Sequence, residues 1–114
     1  MSTKPLEESN EITTNNQGGK QSKITEMCSE LPPYALLKVA EVCGTGAAKY
    51  GSLNWHKIPV MSEMDHALRH GLRFLAYWNA QADYHLLEEE LSHFTTRAIF
   101  ALDQLIRTQP RQQD

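Results

Sequence analysis

Apolar residues recur at helical spacing in three segments of the chain, and no segment shows the two-residue alternation of a β-strand. The first segment predicts a helix over residues 34–43, which Pro32 and Pro33 precede and Gly44 ends. Proline suits the entry of a helix because the first turn has no intrahelical partner for an N–H group, and glycine commonly follows the last turn. Few charges interrupt this segment, which is typical of a buried helix.

Two longer helices are predicted after Pro59. The second helix covers residues 62–79 with Ser62 as its N-cap, and the third covers residues 84–107 with Asp83 as its N-cap. Each has an apolar face at the i, i+4, i+7 spacing of a helix packed on a core. These faces consist of Met64, Ala67, Leu68, Gly71, Leu72, Phe74, Leu75 and Trp78, and of Leu87, Leu91, Phe94, Ala98, Ala101, Leu102 and Leu105. The expected fold is all-α, a compact domain of three to four helices.

Polar segments at both ends limit this domain to residues 26–108. Residues 1–25 contain little to bury and are expected to form a flexible tail, and residues 109–114 are expected to fray. The tail carries Lys20 and Lys23 after two glycines, which fits either a linker or a segment that folds over phosphates, but not a P-loop. Three helices leave apolar edges uncovered in so small a chain, so we expect a homodimer or higher homo-oligomer.

Composition and charge exclude several classes of protein. The chain of 114 residues has a net charge of −3 and no basic cluster, which argues against a nucleic-acid partner. Its two cysteines, Cys28 and Cys43, fit a reduced protein better than a disulfide scaffold. Because no apolar run approaches membrane-spanning length and no signal peptide is evident, we expect a soluble cytoplasmic protein without a membrane partner.

The segment after the first helix carries side chains suited to ligand binding. We expect a loop there, with Gly46 and Gly51 giving it conformational freedom. The candidate binding residues of this loop are Lys49, Tyr50, Asn54 and Trp55. A cation, a phenol, an amide and an indole together can hold a phosphorylated aromatic ligand. The same residues also fit a surface connection anchored by one tryptophan.

Carboxylates and imidazoles border the predicted apolar faces. They are Glu41 on the first helix, Glu63, His66 and His70 on the second, and Glu90 and His93 on the third, with Arg97 nearby. Pairs of such residues at i,i+3 or i,i+4 can present two ligands to one metal, although similar pairs are common on solvated flanks. Carboxylates favour Mg²⁺ or Mn²⁺ over structural zinc. Asp65 and Arg69 are expected to form an ordinary surface ion pair.

Several of these segments carry a family resemblance. They are residues 19–23, 31–33, 39–42, 46–51, 54–55, 65–70 and 88–90, followed by His93. Together they resemble the N-terminal domain family of dATP/dGTP diphosphohydrolase, a family rich in phage proteins. The run Gly-Ala-x-Lys-Tyr-Gly-x-x-Asn-Trp is the most specific part. The chain departs from the family pattern at Thr96, where members often have histidine, and at Arg97, where many have an aliphatic residue.

The resemblance implies hydrolysis of dATP or dGTP to the monophosphate and pyrophosphate with Mg²⁺ or Mn²⁺, in the host cytoplasm if the chain is phage-encoded. This role is similar to that of the MazG-like all-α nucleotide pyrophosphohydrolases, although their complete Glu-Glu-x-x-Glu and Glu-x-x-Asp set is absent here. Two alternatives remain open: a phage protein that binds or sequesters a nucleotide without catalysis, and a small helical interaction module.

The resemblance also assigns roles to individual residues. The implied catalytic residues are Glu41, His70, Glu90 and His93, and the implied metal ligands are Glu41, Glu90 and His93. The implied contacts to the purine deoxynucleotide come from Lys20, Lys23, Lys49, Tyr50, Asn54, Trp55 and Arg97. The four catalytic residues are expected to face one cavity, with Lys49 and Trp55 at its mouth.

Overall fold

Three long helices form most of the protein. The computed structural model describes residues 10–109, and its helices are α1 (Pro33–Tyr50), α2 (Val60–Asn79) and α3 (Tyr84–Arg107). Short 3₁₀ turns lie at Cys28–Glu30 and Asn54–Lys57. The predicted all-α class is therefore confirmed. The expectations for residues 1–9 and 110–114 lie outside the described residues.

Helix α1 is longer than predicted. It continues through Gly44 and Gly46 to Tyr50, although each glycine costs about 1 kcal/mol relative to alanine. Gly51 ends the helix instead: its φ of 100° suits only glycine, and its N–H donates to the carbonyl oxygen of Ala47. The expected loop is therefore wrong, because Lys49 and Tyr50 lie on the last turn of α1.

Helices α2 and α3 form a hairpin with a close contact in its middle. A Cβ atom added to Gly71 would lie 3.1 Å from Cδ1 of Phe94, so glycine permits this approach. The predicted cap of α3 is present, since the Asp83 carboxylate accepts a hydrogen bond from the N–H of Leu86 at 3.2 Å. The predicted cap of α2 is wrong, because that helix begins at Val60 after Pro59. Ser62 therefore lies inside it.

The core of the described chain is small and partly polar. Its buried apolar residues are Val39 on α1, Ala67 on α2, and Leu87 and Ala101 on α3. Much of the apolar stripe predicted to face the core is instead exposed, and we call this part the outer stripe. It consists of Leu68, Leu72 and Leu75 on α2 and Leu91, Leu102 and Leu105 on α3. None of the described helices is long and apolar enough to cross a membrane.

Part of the segment expected to be a flexible tail forms a β-hairpin. Strand β1 (Ile12–Thr14) pairs antiparallel with β2 (Lys20–Ser22). The Asn15 side chain accepts the N–H group of Gly19 at 2.8 Å and closes the turn, in which Gly18 has a φ of 83°. The side chains of both strands are almost all exposed, so no apolar alternation in the sequence marks them.

Candidate functional site

A cleft of about 670 Å³ lies between the C-terminal part of α1, the Asn54–Lys57 turn and the facing flanks of α2 and α3. This volume is typical of small-molecule sites. The cleft brings together eight of the residues singled out in the sequence: Lys49, Tyr50, Asn54, Trp55, His66, His70, His93 and Arg97. The long extension of α1 is what carries the first two of them to the cleft wall.

The cleft is lined by one sign of charge. Lys49, Arg69 and Arg97 line it, and within the described part of the chain no carboxylate does. Three histidines, including His66, add groups that gain positive charge on protonation. Such a concentration of cations in a protein of net charge −3 favours an anionic ligand.

The contribution of Arg69 was not anticipated. The sequence suggested an i,i+4 pair with Asp65, but no such ion pair forms among the described residues, and Arg69 lines the cleft. The i,i+4 spacing gave no indication of this, because it places a pair on one side of a helix without showing what that side faces.

A buried carboxylate orients the imidazole of His70. Oε2 of Glu90 lies 2.9 Å from Nδ1 of His70, and Oε1 of Glu90 lies 3.1 Å from Nε of Arg73. A carboxylate only accepts hydrogen bonds, so Nδ1 of His70 carries the proton. The second ring nitrogen of neutral His70, Nε2, is then a free lone pair that can accept a proton or bind a ligand.

His93 lies beside His70, with ring centroids 5.1 Å apart and an angle of 27° between the rings. Burial, and then the proximity of His70, lowers the pKa of His93 below its ordinary value of 6.5. His93 is therefore mainly neutral near neutral pH. Burial raises the pKa of Cys43, which also lines the cleft, so that its thiol stays protonated.

Arg97 is attached to a buried glutamate. Its NH1 group donates to Oε1 of Glu63 at 2.6 Å. The Glu63 side chain is fully buried, and its Oε2 atom has no hydrogen-bond partner among the described residues. Glu63 thus reaches the cleft only through the guanidinium group that it holds.

Trp55 anchors the wall of the cleft. Its ring stacks on Phe100 with centroids 4.6 Å apart, and the Arg107 guanidinium lies over it at 5.8 Å. Gln104 holds the adjoining 3₁₀ turn by donating to the carbonyl oxygen of His56 at 2.6 Å. Tyr50, by contrast, is 56% exposed. Of the two aromatic candidates, Tyr50 has the ring that is more available to a ligand.

Three of the predicted site residues lie elsewhere. Glu41 lines a neighbouring groove of about 300 Å³, which shares His93 with the cleft, and pairs with Lys38 at 3.4 Å. Lys20 and Lys23 belong to the hairpin segment and are not among the described residues that line the cleft. The expected single cavity is thus correct for His70 and His93, whereas Glu41 shares only the neighbouring groove, and shares it with His93 but not with His70. Glu90 is connected to the cleft through His70.

The residues predicted to hold a metal do not converge. Within residues 10–109, no group of three His, Cys, Asp or Glu side chains is arranged to bind a cation. Both oxygens of Glu90 are engaged by His70 and Arg73, and Glu41 lies in the neighbouring groove. The donor set of Glu41, Glu90 and His93 therefore does not fit a divalent cation held by this chain alone, and Mg²⁺ or Mn²⁺ stays a prediction.

One comparison with known proteins gave a match. A family model described as dATP/dGTP diphosphohydrolase, N-terminal, matches residues 15–114. The matched region includes all three helices and every residue that lines the cleft. No curated protein and no solved structure matches the chain.

Proposed function

We propose that this chain, which belongs to the dATP/dGTP diphosphohydrolase N-terminal family, binds a purine deoxynucleoside triphosphate in the cleft and hydrolyses it to the monophosphate and pyrophosphate. The observation that carries the proposal is the charge of the cleft. Lys49, Arg69 and Arg97 line it, and among the described residues the one carboxylate paired with any of them is the buried Glu63, which does not line the cleft. A triphosphate is the part of a nucleotide that such a cleft attracts.

The base would lie against the end of α1. The exposed ring of Tyr50 offers a stacking surface, and the Asn54 side chain offers both a donor and an acceptor to a base edge. Trp55 supports this wall through its contact with Phe100. The purine preference comes from the family description, which specifies dATP and dGTP.

His70 is the proposed proton acceptor. A water molecule attacks one of the two phosphorus atoms that flank the α–β bridging oxygen, and the P–O bond to that oxygen breaks. One proton of the water passes to Nε2 of His70, because Glu90 holds Nδ1 in its protonated form. The cationic lining offsets the phosphate charge during this step. Neutral His93 beside His70 adds no charge that would oppose the proton transfer.

In this proposal a divalent cation would bind only together with the nucleotide. When bound, it would neutralise phosphate charge. No carboxylate of the described residues lines the cleft, so a cation there would have to be held mainly by the phosphates of the nucleotide.

A second candidate function is nucleotide binding or sequestration without turnover. The lack of a converging set of metal ligands among residues 10–109 favours this second function. Both functions use the same cleft and the same cationic residues. They differ only in whether pyrophosphate is released.

The outer stripe supports self-association. Its six leucines on α2 and α3 are 45–66% exposed, and extensive exposed apolar surface is typical of an interface. We therefore extend the proposal to a homodimer formed through this surface. The cleft contains none of the six leucines of the stripe, so dimerisation would leave it open.

Product analysis tests the proposal. The full chain is incubated with each of the four dNTPs and either Mg²⁺ or Mn²⁺, and the products are separated by chromatography. The expected result is conversion of dATP and dGTP to their monophosphates with equimolar pyrophosphate. Binding without pyrophosphate release would favour sequestration, and absence of both would refute the proposal. His70→Gln removes the proposed proton acceptor and is expected to lose pyrophosphate release, and His85→Gln, an exposed histidine on α3 outside the cleft, is its control.

A further inference from the structure

We propose that Glu63 is a positioning residue of the cleft, which holds the Arg97 guanidinium so that its remaining N–H groups bind the phosphate chain of the ligand. This inference rests on the proposed nucleotide function. It adds a role for a side chain that does not touch the cleft and that neither the charge pattern nor the family resemblance assigns.

Arg97 and Glu63 are joined through a single N–H···O hydrogen bond. Arginine–carboxylate pairs are frequently bidentate, with two parallel N–H···O bonds that use both carboxylate oxygens. Here one N–H group of Arg97 donates to Oε1 of Glu63 at 2.6 Å, and Oε2 has no partner among the described residues. A buried acceptor without a donor destabilises a fold. The arrangement therefore calls for an explanation other than stability.

The orientation of the guanidinium group supplies that explanation. Arg97 lines the cleft, and its side chain is 27% exposed while that of Glu63 is 0% exposed. A guanidinium group has five N–H donors in a fixed fork. When only one of them is committed to Glu63, the others remain for an anion. A bidentate pair would satisfy Oε2 but would commit a second donor of Arg97.

A positioning role and a purely electrostatic role of Glu63 predict opposite changes in anion affinity when Glu63 is replaced by glutamine. Glu63→Gln removes a negative charge close to the cleft, so a purely electrostatic effect would increase the affinity for an anion. The neutral amide also holds the guanidinium by a weaker hydrogen bond, since charge assistance is lost. If Glu63 acts by positioning, the affinity for an anion falls instead.

Calorimetric titration of the full chain with tripolyphosphate and with dGTP, both in EDTA, tests this. Arg97→Gln is expected to weaken tripolyphosphate binding about tenfold or more, the range for a hydrogen bond between charged groups. Glu63→Gln is expected to weaken it about threefold, by the loss of charge assistance. Combined with Arg97→Gln, Glu63→Gln is expected to add no further loss, because its effect passes through Arg97. Lys57→Gln, an exposed residue outside the cleft lining, controls for the loss of one positive charge.

Each outcome distinguishes the inference from the function on which it rests. Unchanged or tighter tripolyphosphate binding by Glu63→Gln overturns the positioning role while nucleotide binding stands. Tripolyphosphate binding that depends on both residues, without any binding of dGTP, supports the positioning role and refutes the nucleotide function. Absence of binding to both ligands overturns both proposals. If Glu63→Gln does not fold by circular dichroism, Arg97→Lys replaces it: a lysine can pair with Glu63 but lacks the fork, so retained affinity would overturn the inference.

Discussion

Glu90→Gln is the substitution that most sharply separates turnover from binding. In the native protein, the two oxygens of Glu90 accept from Nδ1 of His70 and from Nε of Arg73. Glutamine has one oxygen and one NH₂ group, and the NH₂ group cannot face Arg73 because both are donors. It therefore turns to Nδ1 of His70, which must then act as an acceptor. The ring proton moves to Nε2, and the proposed proton acceptor disappears.

The structure sets the size of the expected effect. Loss of a general base lowers kcat by roughly 10²- to 10⁴-fold. The dissociation constant for dGTP is expected to change by less than about threefold, because Glu90 does not line the cleft and one carboxamide oxygen still accepts from Arg73. The hydrogen bonds of the buried carboxylate are weakened but not removed, so the loss of stability is expected to be about 1–3 kcal/mol.

Steady-state kinetics of dGTP hydrolysis and calorimetric binding of dGTP are the two measurements. Glu89→Gln provides the matched control, since Glu89 is the exposed neighbour on the same helix and its side chain makes no hydrogen bond to His70. Full activity of Glu90→Gln would refute the role given to His70 and Glu90. Equal losses in kcat/KM and in affinity would show that Glu90 supports binding rather than proton transfer.

Three further predictions concern the base, the pH dependence and the assembly. Tyr50→Ala should weaken dGTP binding by roughly 1–3 kcal/mol, the scale of one base–aromatic stack, without lowering the melting temperature. Trp55→Ala should lower the melting temperature, because it removes a packed aromatic ring. The reverse pattern would contradict the assignment of Tyr50 to the base and of Trp55 to the cleft wall. The pKa of His93 in the folded protein lies below 6.5, so between that pKa and pH 6.5 the unfolded chain binds more protons than the folded chain. The free energy of unfolding should therefore decline as pH falls through this interval. Chemical denaturation of His93→Gln should show a shallower decline. Leu72→Arg should convert a dimer to a monomer in light scattering, whereas Tyr34→Arg, at a still more exposed position on α1, should not.

Local sequence patterns predicted the presence of the helices more accurately than the residues at which the helices end. Helix α3 has the predicted bounds because a regular apolar period coincides with an Asp83 cap. The end of α1 was missed because Gly44 was interpreted as a stop, although the flanking residues favour helix strongly enough to continue to Gly51. The β-hairpin left no hydrophobic signal, since its turn is held by Asn15 and backbone hydrogen bonds.

Periodicity shows that a helix has an apolar face but not what covers that face. This is why Leu72 was predicted to lie in the core and is 66% exposed. The same limit applies to the site. His70 and Glu90 were predicted to meet because the faces of α2 and α3 had to pack, and they do. The rotation of α1 about its axis was not available from the sequence, and it places Glu41 in the neighbouring groove.

The indole N–H signals of the two tryptophans provide the most direct test of the central claim, that the cleft binds a purine deoxynucleotide. Trp55 lines the cleft, whereas Trp78 is exposed outside it. The ¹⁵N-labelled full chain is titrated with dGTP in EDTA, so that a divalent metal takes no part. We expect a saturable shift of the Trp55 signal and a stationary Trp78 signal, with the shift lost in Arg97→Gln at the same concentrations. A stationary Trp55 signal at saturating dGTP, or a shift of Trp78 alone, would contradict the central claim.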